Sequence, residues 1–107
     1  MNQVKQFFVD AFHHLGGNRA VPGIDARFYP YAGLRHTIRV RSGHVYVRLS
    51  DISKDFPPEV MRALAFVLVA RLLGKKVPEV HDRAYREHSL KPEVMRLSDI
   101  ARRHRGR

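Results

Sequence analysis

The sequence predicts one α+β domain. It has an N-terminal helix, a small antiparallel β-sheet containing a hairpin over 34–49, a buried central helix over 57–73 and two C-terminal helices. Three observations carry this. The run PPEVMRALAFVLVARLLG is apolar at every position from Ala63 to Ala70, and a helix apolar all round is a buried one. Val4, Phe7, Phe8, Ala11, Phe12 and Leu15 recur at helical spacing. Between these segments, Ile38 and Val40, then Val45, Val47 and Leu49, alternate with polar residues on either side of Ser42-Gly43, which is the pattern of a hairpin.

Taken in order, the first helix ends at Gly16-Gly17 and covers the core with three phenylalanines. Its last turn carries His13 and His14. Adjacent helical residues point about 100° apart, so this pair does not converge on one metal and serves the helix dipole. Asn18 to Asp25 is a connector marked by Pro22-Gly23. Ala26 to Tyr31 reads as a short extended piece that Pro30 confines to an edge or a bend. In the hairpin, one face is apolar and meets the central helix. The other carries Arg35, Thr37, Arg39, Arg41, His44, Tyr46 and Arg48, with no acidic partner. Asp55 stands where an N-cap would stand, the two prolines occupy the first turn of the central helix, and Gly74 ends it. Pro78 to Ser89 reads as a helix with Val80, Ala84, Tyr85 and His88 on one side. Pro92 to Arg103 reads as a last helix with Val94, Met95, Leu97 and Ile100 as its apolar stripe. The domain is expected over 1–101, with 102–107 as a basic tail that frays.

The 107 residues include no cysteine, which excludes a disulfide framework, thiolate metal ligands and a cysteine nucleophile and suits a reducing compartment. The N-terminal stretch lacks the pattern of a signal peptide, and the apolar run of the central helix is too short for a bilayer. A cytoplasmic protein with no membrane association is expected. Twenty Lys and Arg against ten Asp and Glu give a net charge of +10. Such a field attracts polyanions. Two readings stay open: a nucleic-acid surface, or a basic surface without a specific partner. On the first, the hairpin residues Arg35, Arg39, Arg41, Tyr46 and Arg48 hold a phosphate backbone and a stacked base, and Arg102, Arg103 and Arg105 of the tail add a further patch.

The catalytic motifs are missing. There is no Gly-rich phosphate loop and no GxSxG elbow. Asp51 and Asp55 read as turn and cap residues. None of the seven histidines lies four residues from another, and His81 and His88 are about 10 Å apart by helical rise, too far to share one ion. The residues assemble no metal site, and no cofactor is expected.

The order of elements, with RVRSGHVYVRLSDISKDFPPEVMRALAFVLVARLLG followed by VHDRAYREH, resembles the SprT-like zinc metallopeptidases, members of the zincin group. In that family a strand and loop lead into a buried helix bearing HExxH, and a third histidine and an aromatic follow. Here VYVRLSDI looks like the strand and its exit loop, PPEVMRALAFVLVARL like the active-site helix, and His81 with Tyr85 like the downstream pair. The resemblance covers residues 34–88 and, through the first helix, most of the chain. It implies a zincin-like fold and, since SprT-like relatives often act near DNA, a place near DNA.

The chain departs from that family at the residues that matter. The family's first zinc histidine falls on Phe66, its general-base glutamate on Val67 and its second histidine on Ala70. A shift of register changes nothing, because no His or Glu occurs between Val60 and Val77. Only His81 is left as a vestigial ligand, and zinc catalysis needs three protein ligands and a base for the bound water. An active enzyme with unusual ligands fails on the same count. The expectation is therefore a non-catalytic SprT-like domain with a binding or scaffolding role, either a stand-alone degenerate relative or the degenerate part of a longer gene product. The alternative is a small basic nucleic-acid-binding protein. The expected partners are DNA or RNA, or another protein domain.

Overall fold

In the computed structural model, residues 2–17 and 19–106 are described. Asn18, the first residue of the expected connector, and Arg107, the last of the expected tail, lie outside them. The elements run α1 (Asn2–Leu15), β1 (Gly23–Tyr29), β2 (Thr37–Arg41), β3 (His44–Ser50), a 3-10 turn (Asp51–Asp55), α2 (Pro58–Leu72), α3 (Glu79–Ser89) and α4 (Pro92–Arg105). The mixed α+β class predicted from the sequence is the one observed.

The core lies between α2, α1 and the inner face of the sheet. All eight residues from Ala63 to Ala70 are buried, joined by Val60 and Met61. Phe8, Ala11 and Phe12 of α1 and Val45, Val47 and Leu49 of β3 pack against them, and Val4, Phe7 and Leu15 pack at the edge. Gly74, at φ +67°, ends α2. Its N–H donates to the Arg71 carbonyl at 3.2 Å, and Lys75 N–H donates to the Ala70 carbonyl at 2.8 Å. This is a Schellman closure, whose left-handed residue favours glycine. The N-terminus of α2 differs from expectation. Its cap is Pro57, with no side-chain cap bond, and Asp55 belongs to the preceding 3-10 turn. Ser50 caps that turn instead, its hydroxyl accepting from Ile52 N–H at 3.2 Å.

The hairpin closes at Ser42-Gly43, with φ 52° and 75°, the signature of a type I′ turn. The sheet, however, is mixed. Strand order is β1-β3-β2, with β2 antiparallel and β1 parallel to β3. β1 also starts at Gly23, three residues before the expected segment, and ends just before Pro30. A parallel strand has no hairpin turn to announce it, so β1 is brought to β3 only by tertiary packing of Ile24, Ala26 and Phe28 on the core side.

On three elements the expected apolar burial is incomplete. Val40 is 54% exposed because β2 is an edge strand that extends past the helical layer. Val80 is 71% exposed, and α3 packs instead through His81, Tyr85 and His88, whose rings meet Phe66 and Phe56. In α4 only Val94 and Ala101 are buried, while Met95, Leu97 and Ile100 are exposed. The tail does not fray at 102. α4 continues to Arg105, whose guanidinium donates to Asp51 at 2.8 Å and to the Tyr31 carbonyl at 3.4 Å. Cations in the last helical turn also complement the helix dipole. Among the described residues, no helix is long and apolar enough to cross a membrane.

Candidate functional sites

Two regions deserve comparison: the part of α2 that the resemblance aligns with zinc ligands, and the outer face of the sheet.

On α2, Phe66 is 2% exposed and Val67 and Ala70 are closed into the core. Phe66 nevertheless reaches the edge of the core beside His81. The two rings stack at 4.2 Å with an interplanar angle of 23°. His14 from the end of α1 meets the same ring edge-on at 5.7 Å, and the Arg62 guanidinium lies 5.1 Å from its centre. Arg62 is held by Asp10 at 2.9 Å. Burial first, then the nearby Arg62 and His14, hold the pKa of His81 below the ordinary histidine range. Phe66 and His81, which the resemblance aligns with two zinc-ligand positions, are thus in contact, and His14, distant in the chain, joins them without a signal in the sequence. The residues do not fit a zinc ion. Phenylalanine, valine and alanine offer no lone pair, and the described residues include no group of three metal-ligating side chains.

Tyr85, the aromatic after His81, has a different partner. Its hydroxyl lies 3.0 Å from His36 Nε2, and His36 Nδ1 accepts from Ser50 N–H at 3.1 Å. An Nδ1 that accepts from a backbone N–H carries no proton, so the ring is the neutral Nε2–H form and donates to Tyr85. Burial pushes the His36 pKa down to about 4 and that of Tyr85 up to about 12. The same knot fixes the loop before β2: Ser50 Oγ donates to the Gly33 carbonyl at 3.1 Å, and Leu34 N–H donates to Ser98 Oγ at 3.0 Å. This linkage of loop, strand and helix has no local signal in the sequence.

The outer sheet face gathers three of the predicted arginines, Arg39, Arg41 and Arg48, with Tyr46. Across β2 and β3, Arg39 pairs with Tyr46, Arg41 with His44 and Thr37 with Arg48. Tyr31, Thr37, Arg39, Arg41, Tyr46 and Arg48 line a hollow of about 610 Å³, with Val40 at its rim. Tyr31 donates to or accepts from Thr37 Oγ1 at 3.0 Å, and Arg35 lies 5.6 Å from its ring. Arg35 thus borders the hollow without lining it. The face is not free of acid, as expected from the hairpin alone. β1 contributes Asp25, which stands opposite Tyr46 and lies 3.1 Å from Arg27 and 3.9 Å from Arg48. Among the described residues, Arg39 and Arg41 have no ion-pair partner.

The tail arginines do not extend this surface as one patch. Arg105 is engaged with Asp51. Arg102 lies 3.4 Å from Asp99. Arg103 lines a separate hollow on the outer side of α4 with Arg96 and Met95. The period-two run Gly23, Asp25, Arg27, Tyr29 would have revealed the acidic member of the sheet face once β1 was known to pair in parallel.

Comparison of the chain with protein-family models, curated proteins and solved structures gave no match.

Proposed function

We propose that the chain is a non-catalytic binding domain on a scaffold related to SprT-like metallopeptidases. One observation supports this above the rest: Phe66, at the position of the family's first zinc histidine, stacks on His81, at the position of its third, and both remaining motif positions are core. Filling that place with hydrocarbon removes polar groups that would need partners and closes the cleft floor. On this reading the helix serves the fold, and function resides on the surface. Elemental analysis of the purified protein tests it: zinc well below one ion per chain is expected, and one tightly held zinc per chain would contradict it.

A second observation favours a nucleic-acid partner for that surface. The outer sheet face offers Arg39 and Arg41, without ion-pair partners among the described residues, beside Arg48 and two half-buried tyrosines, in a chain of net charge +10. Cations and π faces together are what single strands and phosphate backbones bind. Titration with labelled oligonucleotides at two salt concentrations tests it. Affinity should fall steeply with salt, and an R39E/R41E/R48E variant should bind at least about tenfold more weakly. Unchanged binding by that variant would remove the sheet face from the account.

A further inference from the structure

We infer that the outer sheet face takes single-stranded nucleic acid, with an unpaired base against Tyr46 and the neighbouring phosphates on Arg39, Arg41 and Arg48. The inference rests on the nucleic-acid reading above and narrows it.

The tyrosines are held in place and half-exposed at the same time. A Cβ added at Gly23 would lie 2.6 Å from Nδ1 of His44, so glycine is what lets the imidazole lie against the β1 backbone. Tyr46 leans on that imidazole, with ring centres 5.0 Å apart and 49° between planes. Backbone therefore supports one ring and that ring supports the next. At the other end of the hollow, Tyr31 is fixed by its bond to Thr37 and by Tyr29 at 4.8 Å. Neither Tyr31 nor Tyr46 belongs to the hydrophobic core. Both helices that cover the sheet, α1 and α2, lie on its inner side.

The pairing of these rings with arginines decides between strand types. A duplex keeps its bases stacked inside and presents phosphates, so it would engage Arg39 and Arg41 and leave the tyrosines idle. An unpaired base has a free π face that an aromatic ring can accept whatever the base is. Strand rows on this face repeat about every 6.8 Å, two residues of extended chain. Arg39 lies directly across from Tyr46, and Arg41 and Arg48 lie one row to either side. A base on Tyr46 is thereby flanked by cations in both directions along the strand.

Fluorescence anisotropy on the full chain tests this with a labelled oligothymidylate of roughly a dozen nucleotides, its oligouridylate counterpart, an abasic strand and a duplex of the same length. Either single strand should bind about tenfold more tightly than the abasic strand or the duplex. Tyr46→Ala should cost about tenfold on the single strand and nothing on the abasic one, and Tyr46→Phe should restore binding. Arg39→Gln with Arg41→Gln should weaken all four probes and flatten their salt dependence. Equal affinity for all four probes, or a Tyr46→Ala variant that binds like the wild type, would overturn the stacking inference and leave the broader nucleic-acid reading standing. Competition by free thymidine monophosphate at comparable affinity would overturn it in favour of a mononucleotide site. No binding to any probe at low salt would overturn both.

Discussion

The neighbourhood of Phe66 and the outer sheet face are built from opposite materials. Around Phe66 the chain has hydrocarbon where chemistry would need lone pairs, and the rings of His14 and His81 close over it. On the sheet face, guanidiniums and phenols surround a hollow that no side chain fills. The first region contributes stability, and Phe66, Val67 and Ala70 themselves offer no lone pair. The second contributes little to stability and is the surface on which binding is proposed. Substitutions should therefore divide cleanly, with core changes altering stability and face changes altering affinity.

The largest expected effect comes from Phe66→Ala. Removing this buried ring leaves a cavity and unstacks His81, and should cost about 3–5 kcal/mol in chemical denaturation. Oligonucleotide affinity measured where the variant is still folded should be unchanged. A change in affinity comparable to the Arg variants would merge the two regions and break the comparison.

Acid should come next, acting through His36. Its folded pKa of about 4 lies below its ordinary value of 6.5. The unfolded chain therefore binds the proton more readily between those values, and stability rises with pH across that window. The contribution is complete above about pH 6.5, declines as pH falls towards 4, and is flat below. Its full size is roughly 3 kcal/mol. His81 and His88, also shifted downward by burial, act in the same direction. Denaturant midpoints across this range should slope accordingly, and His36→Gln should remove most of the slope. A slope that survives in that variant would point to another group.

Reversing Arg39, Arg41 and Arg48 should lower the salt exponent for single strands by about 0.7 per lost phosphate contact, while the denaturation midpoint moves only slightly, as surface changes do. Smallest of all, Arg105→Ala breaks the partly exposed pair with Asp51 and should cost less than about 1 kcal/mol. If it cost several times more, the end of α4 would belong to the core and the picture of a lightly attached last helix would be wrong.

How far the sequence disclosed this arrangement differs from element to element. The helical period of α1, the apolar run of α2 and the alternation of the hairpin are local patterns, and each became the element it announced. The failures are non-local. Nothing near β1 signals its parallel pairing, so Asp25 on the basic face was not foreseen. Val40, Val80, Met95, Leu97 and Ile100 carry apolar side chains that their neighbours cover only in part, because they lie on an edge strand and peripheral helices. α3 shows the reverse: it packs through His81, Tyr85 and His88, which periodicity alone scores as half polar. Of the candidate site residues, the four on the hairpin strands came together as expected. Arg35 borders their hollow; of the three from the last helix, Arg102 and Arg105 turned to Asp99 and Asp51, and Arg103 lies on a separate hollow.

The most direct test of the central claim is to restore what the resemblance says is missing. The triple variant F66H/V67E/A70H, with the native His81, should bind one zinc per chain, and its unfolding midpoint should rise with added zinc. The wild type should do neither. A triple variant that folds and shows no more affinity for zinc than the wild type would contradict the alignment of α2 with a metallopeptidase helix.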